Sequence, residues 1–182
     1  QSNRRSRLLS TGDPVCVGET IVTSHSGMVQ IRMLDDGLIS VRPQTQIKVE
    51  KFAFSGTNKD GSLLALLKGT CRIITGKIGK RYPQNDLIKT PTVLIGIRGT
   101  DHEATVILPE DIGNYPSGTY DKVNQGITFI RAGNGEIDIH PNQVGYAAST
   151  GELPTILKDI PVFYISGPFV DQETGLSNKA NK

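Results

Sequence analysis

Residues Leu87 to Glu103 read LIKTPTVLIGIRGTDHE. The run opens as a β-strand with alternating sides and stops at Gly99, and Arg98 sits among apolar neighbours just before the stop. A guanidinium at such a position breaks the local pattern, and a buried one must be paired or hydrogen-bonded, at a cost of several kcal/mol (order of magnitude) if it is not. Asp101, three residues on, is a natural partner and backbone carbonyls in the turn are another, so Arg98 reads as a structural staple across the turn rather than a catalytic group.

The same strand vocabulary extends outward on both sides. Val29, Ile31 and Met33 alternate with Gln30 and Arg32, Asp35-Asp36-Gly37 marks a turn, and Ile39 and Val41 then alternate with Ser40 and Arg42. This predicts a hairpin whose Ile and Val side chains point inward and whose Ser and Arg side chains point outward. The run LLALLKGTCRII (63–74) fits a short helix or a buried strand, and the strand-like surroundings favour strand. Gly76 and Gly79 read as turns. Further on, Ile127, Phe129 and Arg131 alternate with Thr128, Ile130 and Ala132, and Asn134-Gly135 is the strongest hairpin signal in the chain.

A short internal repeat accompanies this pattern. DGLISVRP (36–43) and NGEIDIHP (134–141) share Gly-x-Ile-x-aliphatic-x-Pro in register. In each, a turn feeds a half-buried strand that Pro ends. The pattern predicts an all-β chain: a twisted, β-solenoid-like stack of hairpins with few or no helices. Its organisation reads as a polar N-terminal arm (1–18), a β domain (19–165) and a polar C-terminal tail (166–182).

Composition limits the function classes. The chain has 182 residues, 36% apolar, with Lys plus Arg 20 against Asp plus Glu 18 and a net charge of +2. That balance leaves no electrostatic footprint for nucleic acid, and the cluster Arg4, Arg5, Arg7 reads as a solvated arm. No apolar run reaches the ~18 residues needed for a transmembrane helix. Gln1 opens without Met, so the chain reads as processed or trimmed.

Chemistry-bearing patterns are sparse. Asp101-His102-Glu103 places three polar groups in a row, with Asp101 and Glu103 on one face and His102 on the other. A polar loop explains the triplet better than a metal site, and a hydrolase using it is the weakest functional alternative. Asp35 and Asp36 read as turn formers. No Gly-x-Ser-x-Gly elbow, Walker loop or dinucleotide loop occurs, so no catalytic, cofactor-binding or metal-ligating residue is assigned. Cys16 and Cys71 read as small apolar strand residues, either paired or as two thiols.

TPTVLIGIRGTDHE resembles the signature of FecR-domain proteins, carried here by Thr90, Pro91, Gly96, Arg98, Gly99, Thr100 and Asp101. Upstream, Gly12, Asp13 and Val15, then Ile21 and Thr23, Asp36 and Gly37, and Pro43 and Thr45 are similar to the same family's opening half. The resemblance covers roughly residues 8–108 and, more loosely, 118–164. It implies a periplasmic or secreted all-β domain, with a signal peptide removed, that acts without catalysis through protein–protein contacts in cell-surface signalling. The chain departs from the family's membrane regulators, having no membrane-crossing helix and no recognisable anti-sigma segment. Both cysteines stand where the family has ordinary strand residues, which implies a Cys16–Cys71 disulfide. The alternative is a self-assembling subunit of an extracellular fibre or surface structure, using open strand edges.

Overall fold

The computed structural model describes residues 6–111 and 113–165. Arg4, Arg5 and the tail 166–182 lie outside the described residues. The expected all-β class holds. The strands are β1 (Thr20–Val22), β2 (Val29–Arg32), β3 (Leu38–Val41), β4 (Gln46–Ala53), β5 (Gly61–Ile74), β6 (Asp86–Lys89), β7 (Leu94–Ile107), β8 (Gly118–Ala132), β9 (Gly135–Ile139), β10 (Val144–Ala147) and β11 (Thr155–Ile156). They join one open sheet of 11 strands. Among the described residues, helix is limited to α1 (Lys77–Arg81) and two short 3-10 turns.

The 63–74 run is strand, as expected, but it belongs to something longer. β5 and β7 have 14 residues each and β8 has 15, well beyond the usual five or six. Each serves two half-sheets. The first contains β1, β4, the start of β5, β6, the start of β7, the end of β8 and β9. The second contains β2, β3, the end of β5, the end of β7, the start of β8, β10 and β11.

Glycine makes the crossing. Gly69 in β5, Gly99 in β7 and Gly126 in β8 all have positive φ, at 84°, 65° and 78°, a conformation that other residues adopt only with strain. The β7–β8 register shifts between Arg98 and Asp101 and again between Asp101 and His102. One extra residue flips every later side chain to the other face. Thus Ile95 and Ile97 face the core before the bend, and Ala104 and Val106 face it afterwards. Leu64 and Leu66 give way in the same manner to Cys71 and Ile73, so both half-sheets close on one shared core.

The solenoid-like stacking of hairpins is not confirmed, because long strands shared between half-sheets link the hairpins side by side. The internal repeat is nevertheless real in backbone terms. Pro43 and Pro141 are each followed by a non-glycine residue at positive φ, Gln44 at 56° and Asn142 at 65°, the geometry of a turn with Pro at its second position. The hairpins at 32–38 and 132–135 form as expected. However, Ala132 pairs with Gly135, so the second loop is Gly133-Asn134, one residue earlier than its Asn-Gly signal suggests.

The turns expected at Gly76 and Gly79 instead flank and enter α1. β5 and β6 are parallel, and parallel neighbours need a crossover rather than a tight turn. Asp35 anchors it: its carboxylate accepts from Gly37 N at 3.2 Å and Ile78 N at 3.1 Å. Asp36 is exposed, with φ 68°, and pairs with Arg32 and Lys77. Both are turn formers, as read from sequence.

Candidate functional site

Three arrangements gather the chemistry-bearing residues. The first is the outer face of the second half-sheet, where alternation predicts solvent-facing side chains. Instead Ser40, Arg42 and Arg72 are buried there with Asp101 and Glu103. Arg72 donates to both oxygens of Asp101, from Nε at 2.8 Å and Nη2 at 2.6 Å. Arg42 pairs with Glu103 at 2.5 Å, and Lys122 reaches the other Glu103 oxygen at 3.0 Å. Asn124 donates to Asp101 at 3.3 Å and to Glu103 at 3.1 Å, bridging the two pairs. Burial alone would raise the Glu103 pKa, but the Arg42 and Lys122 charges with the Asn124 and Lys122 hydrogen bonds outweigh it and hold the carboxyl below its ordinary value.

An aromatic strap flanks this face. Tyr164 is fully buried and donates to the Glu103 carbonyl at 3.0 Å, and Lys122 sits 5.9 Å from its ring centroid. Tyr120, Val144 and Tyr164 form a second apolar cluster with Tyr115, Tyr146 and Phe163 packed against it.

The second arrangement lies inside the core. His102 is completely buried, with Nδ1 2.6 Å from Asp121 Oδ1, and Thr128 donates to the other Asp121 oxygen at 2.6 Å. His102 Nε2 has no hydrogen-bond partner. Burial favours the neutral imidazole, yet the Asp121 carboxylate, followed by Asp86 and Asp101, raises its pKa above the ordinary histidine value. Asp86, also buried, is pushed up to about 6 by burial and the Asp35 charge, against the opposing pull of His102 and the Ser62 hydrogen bond.

The third is the signature stretch. The Thr90 hydroxyl accepts from Val93 N at 3.0 Å and lies 2.8 Å from the Thr119 hydroxyl, closing the loop that carries exposed Pro91. Gly96 is glycine for want of room, since a Cβ there would collide with the Phe129 ring. Thr100 is buried and exchanges hydrogen bonds with Thr75. Arg98 corrects the staple expectation. Its side chain is 46% exposed, pairs with Asp138 at 3.4 Å and lies 5.4 Å from the Phe129 centroid. The bulge at Gly99 ends the alternation and turns Asp101 toward Arg72 instead.

Two other expectations change. Cys16 is exposed and Cys71 is buried in β5, and no disulfide joins them. The Asp101-His102-Glu103 triplet does split its faces as read, but it offers no hydrolase site: His102 is sealed in the core and both carboxylates are held by basic side chains. No group of three His, Cys, Asp or Glu among the described residues is placed to hold a metal ion. No helix among them is long and apolar enough to cross a membrane, which says nothing of a β-barrel.

The sequence profile of the FecR protein family matches residues 19–110, which is half of the chain. The chain belongs to the FecR family. Within this FecR domain lie the first two bends, at Gly69 and Gly99, and the signature stretch. Among solved structures the chain is similar to a protein assigned as an anti-sigma factor from Parabacteroides distasonis ATCC 8503. One structure of it, at 1.65 Å resolution, matches with a TM-score of 0.57 and 11% identity. Another, at 2.50 Å, matches with a TM-score of 0.58 and 13% identity. At such identity the likeness shows the fold. The alignments cover 76% of this chain and 59% of that protein, so the chain spans well under two thirds of it. No curated protein matches.

Proposed function

We propose that this FecR-family chain is a non-enzymatic protein–protein interaction module of the periplasm or cell exterior, acting in cell-surface signalling. The family supports a regulatory role. The observation that carries the interaction reading is the open edge at β2.

β1, β2, β9 and β11 each pair on one side among the described strands. β1 and β11 have 3 and 2 residues, too short to template much pairing. β9 carries Glu136 and Asp138, tied to Arg131 and Arg98, and charged side chains blunt an edge. β2 has no such guard beyond Arg32. Its core-facing Val29, Ile31 and Met33 are only half-buried, and Leu34 beside it is 82% exposed. Met33 N donates to Gly37 O at 2.8 Å. By alternation Ile31 and Val29 bond β3, and the backbone of Gln30 and Arg32 faces outward. An extended segment of a partner protein fits there by β-strand addition.

Gln30→Pro removes one outward donor and leaves the β2–β3 ladder intact. Partner binding falls at least ~tenfold for a strand-added segment, with unfolding unchanged. Unaltered binding by a folded variant refutes the β2 edge. The second reading, self-assembly through the same edge, predicts that Gln30→Pro abolishes concentration-dependent association of the purified chain. Fractionation of the producing cell tests the location, and a cytoplasmic protein would contradict it.

A further inference from the structure

Asp121 stands before the Gly126 bend of β8 and Thr128 stands after it, so the two belong to different half-sheets. Yet both Asp121 oxygens are used, one by His102 and the other by Thr128. His102 itself follows the Gly99 bulge of β7 directly, where the register shifts. A single carboxylate thereby ties β7 to β8 and one half-sheet to the other, beside a bend with no room for a side chain: a Cβ on Gly126 would collide with the Gly99 carbonyl.

We infer that the His102–Asp121–Thr128 chain is a pH-sensitive pin, a buried imidazolium–carboxylate pair that fixes the bend between the half-sheets and loosens when His102 loses its proton.

The surroundings select the charged form. Asp121 from β8 contacts His102, and the charges of Asp86 from β6 and, more weakly, of Asp101 on the opposite face of β7, where Arg72 pairs it, also raise its pKa; Asp35 in turn raises that of Asp86. Opposite His102 in the ladders are Ile73 of β5 and Val123 of β8, both uncharged. Nε2 has no partner, so a proton there gains no hydrogen bond and only the neighbouring carboxylates favour the charged form. A histidine whose folded pKa exceeds its unfolded value contributes stability that is complete below about pH 6.5 and is lost as pH rises through the folded pKa. Asp86, with a pKa of about 6, and His102 each shift the other's pKa, so the ring itself, and not the stability curve, reports the His102 step.

The test follows the His102 ring by NMR from about pH 5 to about pH 9, together with amide exchange protection at 98–101 and 125–128 in the same protein. The pin predicts a ring transition above about pH 6.5 and a roughly tenfold loss of corner protection with the same midpoint. His102→Gln, which keeps a donor toward Asp121, should show no protection step in that window. A ring that titrates at or below the ordinary value, or corner protection flat across the His102 transition, overturns the proposal. Both of these readings come from the wild type, so they decide the matter even if His102→Gln does not fold.

Discussion

Arg72 grips Asp101 with two parallel hydrogen bonds, 2.8 and 2.6 Å long, between side chains only 10% and 11% exposed. Asp101 is one of the partners that the sequence offers Arg98. Removing one member of a buried pair leaves a charge without its counterpart. Arg72→Ala should therefore cost about 3–5 kcal/mol in urea denaturation. Arg98→Ala breaks a pair that is half in water and should cost at most ~1 kcal/mol. Equal costs would contradict this assignment of roles.

Phe129 lies on Gly96 with Arg98 and Arg131 each 5.4 Å from its centroid. Gly96→Ala forces the ring aside and should destabilise by about 1–3 kcal/mol. Adding Phe129→Ala removes the collision, so the double variant should lose less than the sum of the two single costs. Additive costs in the denaturation cycle would show that the ring is not the obstacle.

Gly126 and Gly99 separate two kinds of glycine requirement. Both have positive φ, but a Cβ on Gly99 meets nothing within 4 Å, whereas one on Gly126 meets the Gly99 backbone. Gly99→Ala should cost about 1 kcal/mol in backbone strain, and Gly126→Ala several kcal/mol because packing is added. The order of the two melting temperatures checks this, and a more stable Gly126→Ala would contradict the bend.

Asp86 gives the fold a pH dependence of known sign. Its folded pKa, about 6, lies above the ordinary aspartate value of 3.8, so the stability it contributes at low pH is lost as pH rises between those values. The loss amounts to about 3 kcal/mol at 1.36 kcal/mol per pKa unit. Asp86→Asn should therefore match the wild type near pH 4 and exceed its stability above pH 6 by up to that amount. A variant less stable than the wild type at neutral pH would contradict this.

Thiol labelling should modify Cys16 in the folded protein and Cys71 only on unfolding, since one is exposed and the other buried. A non-reduced mass lower by two hydrogens would restore the disulfide.

Much of this was legible in the sequence. Hydrophobic alternation locates β2, β3 and β9, and the signature stretch identifies the family. The bends were hidden because each is a phase change inside a single strand. Ile95 and Ile97 share one parity and Ala104 and Val106 the other, with Gly99 between them, and the same slip surrounds Gly69 and Gly126. Read as one period, such a run looks like two strands and a loop. The ionic face was hidden for a related reason: Arg42 and Arg72 alternate correctly as outward residues, and burial comes from neighbours far along the chain. Tyr164 is 61 residues from the Glu103 carbonyl it binds, a distance no local pattern encodes.

Photo-cross-linking from position 30 of β2 in the producing cell, with position 136 of β9 as the guarded-edge control, tests the interaction account most directly. The account predicts one discrete adduct with a different protein from position 30, little from position 136, and loss of a nearby adduct from position 32 when Gln30→Pro is introduced. A folded protein that gives no adduct from β2, or gives equal adducts from both edges, would contradict it.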